Sequence, residues 1–122
     1  MNKFKKLIAW QKAMDLCVFV YNLTESFPHV EKYGLISQIT RCAVSVPSNI
    51  AEGAGRNSKK EFSHFLGITI GSLFELETQL NIALQLKFIN EESFVKAEEE
   101  IDSIRKLIYG LKKSLQENST ET

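Results

Sequence analysis

Residues that interrupt helices are scarce in this chain of 122 residues, which has only two prolines and six glycines. Long stretches contain neither residue, and this absence favours helix over turn-rich structure. The two cysteines, Cys17 and Cys42, sit among apolar neighbours. Two such residues do not make a disulfide framework, so we predict buried, reduced thiols. No run of about 18 apolar residues occurs, so no membrane-spanning segment is predicted.

The chain also lacks net charge, since 15 basic residues balance 15 acidic ones. Nucleic-acid-binding domains are usually basic overall, so the balance is weak evidence for such a partner. The charges are unevenly spread: residues 1–60 carry nine Lys and Arg against four Asp and Glu, and residues 61–122 carry six against eleven. The start MNKFKKLIAW lacks the apolar core and cleavage site of a signal peptide, so we predict a bacterial cytoplasmic protein.

Apolar residues recur at steps of three and four along most of the chain, which is the period of an amphipathic helix. The first segment has two such series, one of Leu7, Trp10, Met14, Cys17 and Tyr21, the other of Ala13, Leu16, Val20, Leu23 and Phe27. Pro28 ends this segment, and the capping box Ser58-Lys59-Lys60-Glu61 starts the third. We predict helices over residues 6–26, 32–54, 59–86 and 91–116, forming a single domain over 1–116 with a disordered tail over 117–122.

Short connections between such long helices make neighbours antiparallel, so the predicted fold is all-α, an antiparallel up-down-up-down four-helix bundle. Within the third helix, the small residues Gly67, Gly71 and Ser72 predict the close approach of another helix, since each glycine otherwise destabilises the helix by roughly 1 kcal/mol.

The second and third helices carry few charges, although every helix of a lone bundle has one face in water. The only charged residues within 33–55 and 62–86 are Arg41, Glu52, Glu75 and Glu77. Phe19 adds an apolar residue to the polar side of the first helix. Isolated apolar surface residues need no explanation, but two adjacent charge-poor helices indicate an apolar patch that monomers rarely expose. We therefore predict a homo-oligomer.

The second helix also has a polar lane, a stripe of polar residues at steps of three and four. It consists of Gln38, Arg41, Ser45, Asn49, Glu52 and Arg56. Side chains three or four positions apart in the lane can contact each other along the helix, and the lane can also contact a partner helix. Two interpretations stay open: a structural network at an interface between copies, which would include Phe19, and a stripe that reads a ligand or RNA.

Residues that support catalysis or metal binding are not found in the required patterns. Glu61 and His64 form a Glu-x-x-His, but a di-iron bundle needs this motif on two helices, and the other histidine, His29, has no glutamate three residues before it. Ser63 beside His64 is not a triad geometry. Gly53-Ala54-Gly55-Arg56 resembles a phosphate cradle only weakly, and a helix–helix turn explains it. We predict no enzyme, no metal, no cofactor and no small-molecule substrate.

The basic residues form two groups that an up-down bundle brings to one end. The candidate nucleic-acid-binding residues are Lys3, Lys5, Lys6, Lys12, Arg56, Lys59 and Lys60. In an oligomer they would form a basic rim whose binding weakens with salt. The alternative is that they are ordinary solvated lysines near chain termini.

The run from Gln38 to Gly53, which contains SVPSNIAEG, resembles a known family. Further matching segments are Trp10-Gln11-Lys12-Ala13, Phe27-Pro28, Tyr33-Gly34-Leu35, Gly55-Arg56, Lys60-Glu61-Phe62 and Gly71-Ser72-Leu73-Phe74-Glu75-Leu76-Glu77. Over about residues 5–90 the sequence is similar to the bacterial four-helix bundle proteins encoded in intervening sequences of 23S ribosomal RNA genes.

This resemblance implies an up-down bundle that assembles as a homopentamer, without known catalytic activity and with an association to RNA suggested by gene location. A related branch, the accessory proteins of diversity-generating retroelements, binds nucleic acid and reverse transcriptase and is markedly basic, unlike this neutral chain. The function predicted first is a nucleic-acid-associated oligomer. The alternative is a protein-interaction scaffold, or a reverse-transcriptase accessory protein, that uses the ring surface and the acidic segment from Glu91 to Asp102.

Overall fold

The computed structural model describes the backbone of residues 3–120 and the side chains of residues 4–116. Its four α-helices are α1 (Ile8–Thr24), α2 (Leu35–Ala54), α3 (Lys59–Gln85) and α4 (Glu91–Thr120). Short 3-10 helices precede α1 (Lys3–Lys6) and α2 (His29–Tyr33). Residues 3–120 contain no strand, so the predicted all-α, four-helix fold is confirmed.

The ends of the helices differ from the predicted ones by a few residues. The second helix begins at Leu35 rather than at 32, because Gly34 has non-helical dihedral angles (φ −108°, ψ −111°) and separates it from the 3-10 helix. The backbone N–H of Leu35 instead donates to the Glu31 carboxylate, at 3.2 Å. At the other end of the chain, α4 continues past the predicted end at 116 to Thr120. The rest of the predicted tail, residues 121–122, lies outside the described residues.

The hydrophobic core lies along the centre of the four helices. The large side chains that are fully buried are Leu16, Val20, Ile39, Val46, Ile50, Leu66, Leu73, Leu76, Leu80, Ile101, Ile104 and Ile108. Burying each leucine or isoleucine contributes about 1.5–3 kcal/mol relative to exposure. In α1 the buried stripe is the series through Ala13 and Leu16, whereas Met14 and Tyr21 of the other series are 40% and 46% exposed. The series through Ala13 is therefore the more deeply buried one, and Leu7, Trp10 and Cys17 of the other series pack against the edge of the core.

Contacts run in opposite residue order in three pairs of packed helices. Between α2 and α3, Ser45 lies against Ser72, and Gly53 lies against Phe62. Between α3 and α4, Ser63 bonds Lys112, and Glu77 pairs with Arg105. Between α1 and α4, Lys12 bonds Ser103, and Lys96 lies over the ring of Phe19. The start of α3 and the end of α4 therefore meet at one end of the molecule.

Among the helical glycines, Gly53 of α2 is the one packed tightly against another helix, and the glycines of α3 are not. A Cβ atom at Gly53 would lie 2.7 Å from Phe65 Cβ and 3.0 Å from Phe62 Cδ1, distances that leave no room for it. A Cβ at Gly71 would meet nothing within 4 Å, and one at Gly67 would meet only Lys112 Nζ, at 3.7 Å. The prediction of close approach at Gly67 and Gly71 is therefore wrong within the chain, because both glycines face outward.

Candidate nucleic-acid interface

The first turn of α3 presents two lysines at one end of the molecule. Ser58 caps this helix: its hydroxyl accepts from the Glu61 N–H at 3.1 Å and donates to the Glu61 carboxylate at 3.2 Å. This is the Ser58 half of the predicted capping box, and it satisfies one backbone N–H that the helix start would otherwise leave unpaired. Lys59 and Lys60 follow the cap directly and are both exposed. A well-defined helix start therefore holds their backbone in place.

Arg56 lies beside these lysines in the turn between α2 and α3. Its guanidinium pairs with Glu52 at 3.3 Å and stacks over the Phe65 ring, 4.9 Å from the ring centre. The Arg56 and Glu52 side chains are 43% and 56% exposed, so the ion pair is in contact with water and contributes little stability. Stacking on Phe65 ties Arg56 to α3, and its charge remains at the surface next to Lys59.

The end of α4 brings two further lysines, which sequence reasoning missed. Lys112 Nζ donates to the backbone oxygen and to the hydroxyl of Ser63, at 2.9 Å and 3.1 Å, and Lys113 is exposed. A signal was present in the charge order of α4: residues 91–102 hold six acidic side chains and one basic, and residues 103–116 hold four basic and none acidic. Because the end of α4 lies against the start of α3, this basic segment joins Lys59 and Lys60.

The lysines predicted from the first helix are not all at this end. Lys5 and Lys6 are exposed in the 3-10 helix that precedes α1, and this helix contacts α2. The side chain of Lys3 lies outside the described residues. Lys12 is directed elsewhere: its Nζ donates to Ser103 at 3.2 Å, in a hollow that also contains Glu99 and Asp102. The structure therefore separates Lys12 from the other predicted residues, because position 12 lies on the side of α1 that faces α4.

The predicted polar lane of α2 divides into a buried part and an exposed part. Ser45 Oγ lies 2.8 Å from Ser72 Oγ of α3, and Asn49 donates to the Ser45 backbone oxygen at 2.8 Å. Both residues are half-buried in the seam between α2 and α3. The exposed members of the lane are Gln38, Arg41, Glu52 and Arg56. Phe19 is on a different side of the molecule, half-buried beneath Lys96 of α4, so the structure does not bring it to the lane.

The Cys42 thiol is buried in the same seam. Its Sγ lies 3.1 Å from the Ser72 backbone oxygen and 3.3 Å from the Glu75 carboxylate. Burial first, and the Glu75 carboxylate second, raise the pKa of Cys42 to about 12. Burial also raises the pKa of the Cys17 thiol. Both cysteines are free thiols, and neither has the low pKa of a reactive nucleophile.

Raising the pH is expected to destabilise the folded chain through Cys42. An unfolded thiol ionises near pH 8.5, whereas the folded Cys42 keeps its proton up to about pH 12. Between these values the folded state binds more protons, so the free energy of unfolding falls as the pH rises. Urea unfolding of the wild type and of Cys42→Ala, measured at about pH 7.5 and about pH 10, checks this. The wild type should lose more stability than the variant, and equal losses would contradict the prediction.

A second charged group joins α3 to the acidic half of α4. Arg105 pairs with Glu77 at 3.7 Å and with Asp102, and its guanidinium stacks over Phe74, 4.9 Å from the ring centre. Burial, and then the neighbouring Glu98 carboxylate, raise the pKa of Glu77. Arg105 thus offsets the repulsion among acidic side chains where α3 and α4 meet.

Within the described part of the chain, no group of three or more His, Cys, Asp and Glu residues could hold a metal ion. Glu61 is occupied by the helix cap, and His64 is exposed with its ring against Phe65. Over the same residues, none of the helices has the length and apolar character needed to cross a bilayer.

The chain is similar to known proteins in both sequence and fold. The sequence model described as "23S rRNA-intervening sequence protein" matches residues 5–110 of the chain. The chain belongs to the 23S rRNA-intervening sequence protein family. The match covers α1, α2, α3 and two-thirds of α4, and it ends just before Lys112 and Lys113. A comparison with curated proteins finds no match.

A crystal structure with a similar fold is that of a protein of unknown function from the S23 ribosomal protein family of Bacteroides thetaiotaomicron. The TM-score is 0.78, the sequence identity is 21%, and the similarity covers 87% of this chain and 99% of that one. At this identity the likeness supports the fold of this 23S rRNA-intervening sequence family member.

Proposed function

We propose that this member of the 23S rRNA-intervening sequence family is a non-enzymatic, homo-oligomeric bundle that associates with structured RNA in the bacterial cytoplasm. The observation that carries the proposal is the convergence of basic side chains from different elements at one end of the molecule. Arg56, Lys59, Lys60, Lys112 and Lys113 come from the turn after α2, the start of α3 and the end of α4.

Among residues 4–116, whose side chains the structure describes, the acidic ones near this end are already engaged. Glu52 pairs with Arg56, and Glu61 belongs to the cap of α3. The lysines are therefore the charges most available to a polyanion, although the chain as a whole is neutral. A local basic surface of this kind is sufficient for phosphate contacts, because the electrostatic attraction to a nucleic-acid backbone is short-ranged at physiological salt.

The proposal includes an antiparallel up-down-up-down arrangement of the helices. Its support is the opposite residue order of the contacts, such as Ser63 with Lys112 and Glu77 with Arg105. In this arrangement the start of α1 lies at the same end as the start of α3, so Lys5 and Lys6 extend the basic surface. The assembly we propose is a pentamer, as the family resemblance implies, and its subunits would present their basic ends as one rim.

The direct test is a titration of the purified chain with a structured RNA, such as a ribosomal RNA hairpin, at low salt. We expect binding that weakens steeply as salt rises, because each neutralised phosphate releases a counterion. Absence of binding at low salt would reject RNA association. Binding insensitive to salt would also reject the basic end as the contact surface.

Self-association is proposed to use the outer face shared by α2 and α3. Exposed apolar side chains of these two helices include Val44 of α2 and Ile82 of α3, which are 40% and 45% exposed. Gly71 of α3 is also exposed and has open space where a side chain would stand. A glycine inside a helix destabilises it by about 1 kcal/mol, and nothing within 4 Å in this chain accounts for it. A second copy packed on this face would account for both features.

Gly71→Glu is therefore expected to break the assembly into smaller species without unfolding the subunit. The new side chain meets open space in the isolated chain, but it would bury a charge in the interface, which is strongly unfavourable. Light scattering with size-exclusion chromatography gives the mass in solution. The matched control is Gly110→Glu, since Gly110 is also exposed with open space around it. An unchanged mass for Gly71→Glu, or a monomeric wild type, would contradict the interface.

The acidic start of α4 favours a second function, that of a protein-interaction scaffold. Its exposed carboxylates, Glu91, Glu92 and Glu99, are well removed along α4 from Lys112. A basic protein partner, including a reverse transcriptase as in the related branch, would suit this surface.

Affinity capture of the tagged protein from its host separates the two functions. Recovery dominated by RNA supports RNA association. Recovery of one protein that persists after ribonuclease treatment supports the scaffold.

A further inference from the structure

A shallow hollow lies on the basic end, where the first turns of α3 meet the last turns of α4. It is lined by Lys60, Ser63, His64, Gly67, Ile68 and Lys112. Two lysines, a histidine and a serine therefore line one shallow space. No acidic side chain is among these lining residues. This is the chemistry that binds an oxyanion rather than a metal ion or an apolar ligand.

Lys112 is positioned more firmly than an ordinary surface lysine. Its ammonium donates to the backbone oxygen and the hydroxyl of Ser63, at 2.9 Å and 3.1 Å. An ammonium has three N–H donors, so these bonds leave one for a ligand. Because the side chain is already ordered by α3, binding an anion there sacrifices less conformational entropy than at a free lysine.

The residues around Lys112 leave its ammonium open to a ligand. Gly67 has no side chain, and a Cβ there would lie 3.7 Å from Lys112 Nζ. A larger side chain would cover the ammonium. The Ser63 hydroxyl accepts from Lys112, so its own proton remains available for donation. Lys60 and His64 are one helical turn apart and so lie on the same side of α3.

We propose that this hollow is a seat for one phosphate group, which in the proposed function is supplied by the RNA backbone. Lys112 and Ser63 donate to phosphate oxygens from one side, and Lys60 and His64 lie on the other. The proposal rests on RNA association, but it adds a specific claim: Lys112 contributes more to binding than the equally charged Lys113 beside it.

The first experiment compares Lys112→Met with Lys113→Met in RNA titrations of the full chain. Both variants lose one charge from the same turn of α4. Lys112→Met is expected to lower RNA affinity about 10-fold and to reduce the slope of log affinity against log salt concentration by about 1. Lys113→Met is expected to lower RNA affinity by less than about 2-fold. Equal losses would overturn the seat while leaving RNA association in place.

Lys112→Met also removes two hydrogen bonds to α3, so destabilisation of the fold would also lower its RNA affinity. A second variant separates this effect from the loss of the phosphate contact. Lys60→Met removes an ammonium from the hollow without touching the Ser63 bonds, and Lys60 is exposed. It should lower RNA affinity more than Lys113→Met does, with an unchanged melting temperature. If Lys60→Met has no greater effect than Lys113→Met, the seat is overturned.

The second experiment uses inorganic phosphate alone and is independent of RNA. Amide resonances are followed as sodium phosphate replaces sodium chloride at constant ionic strength. The largest shifts are expected at Ser63, His64 and Gly67, and they should be reduced in Gly67→Asp, whose carboxylate would stand beside Lys112, but not in Gly67→Ala. Shifts that are absent or spread over all lysines overturn the seat. A localised response in a protein that binds no RNA retains the seat and removes the proposed function.

Discussion

Reversing two charges at the start of α3, in the double variant Lys59→Glu with Lys60→Glu, is expected to weaken RNA binding roughly 100-fold at low salt. Each lysine that contacts a phosphate contributes to affinity through counterion release, and a glutamate in its place repels the same phosphate. Fold should be preserved, because both side chains are exposed and lie outside the core. The measurement is a fluorescence-anisotropy titration with a labelled hairpin, repeated at several salt concentrations.

The matched control reverses two lysines at the opposite end of the molecule, in Lys32→Glu with Lys87→Glu. Lys32 lies in the 3-10 helix before α2, and Lys87 follows α3, so the net charge changes equally while the basic end stays intact. We expect the control to retain most of the affinity. A similar loss in both double variants would mean that overall charge, rather than the basic end, determines binding.

Gly53→Val is expected to destabilise the chain by about 3 kcal/mol, which lowers the melting temperature by about 10 °C. The reason is steric: a Cβ would lie 2.7 Å from Phe65 Cβ and 3.0 Å from Phe62 Cδ1, so α2 and α3 must move apart or their side chains must leave favourable rotamers. Replacing glycine by a better helix former recovers less than about 1 kcal/mol of this.

Thermal unfolding followed by circular dichroism checks the effect of Gly53→Val. The control is Gly110→Val, the same change at an exposed position of α4 where a Cβ meets nothing within 4 Å. Its effect should stay within about 0.5 kcal/mol, as for most surface substitutions. If Gly53→Val were as mild as the control, the close approach of α2 and α3 at Gly53 would be wrong.

Local signals in the sequence predict the local structure well. The capping box at Ser58 could be predicted because its donors and acceptors lie within four residues of one another. The start of α2 could not, since Gly34 gave no sign of whether the helix would pass through it. In α1, both apolar series satisfy the helical period, and only packing against the other helices selects the one through Ala13.

The candidate site was harder to predict than the fold, because its residues are distant in sequence. Lys59 and Lys60 can be predicted from their cluster in the sequence, but Lys112 joins them only because α4 returns to the start of α3. The charge of Lys12 favours the same role, although its position on α1 directs it toward Ser103. The glycines show the same limit: a helical glycine predicts a close contact, but sequence alone does not say whether Gly53 or Gly67 makes it.

The opposite charges of the two halves of α4 affect how this molecule meets a partner. With zero net charge, the chain has no overall attraction to a polyanion at long range. Within about 8 Å, the Debye length at physiological salt, a polyanion attracts one end and repels the other. The polyanion is therefore held when it meets the basic end. A subunit that approaches with its acidic end first is repelled and must rotate or diffuse away. In the proposed pentamer, basic ends set side by side would let five weak contacts act together, and avidity rather than the strength of any one contact would determine how long an RNA stays bound.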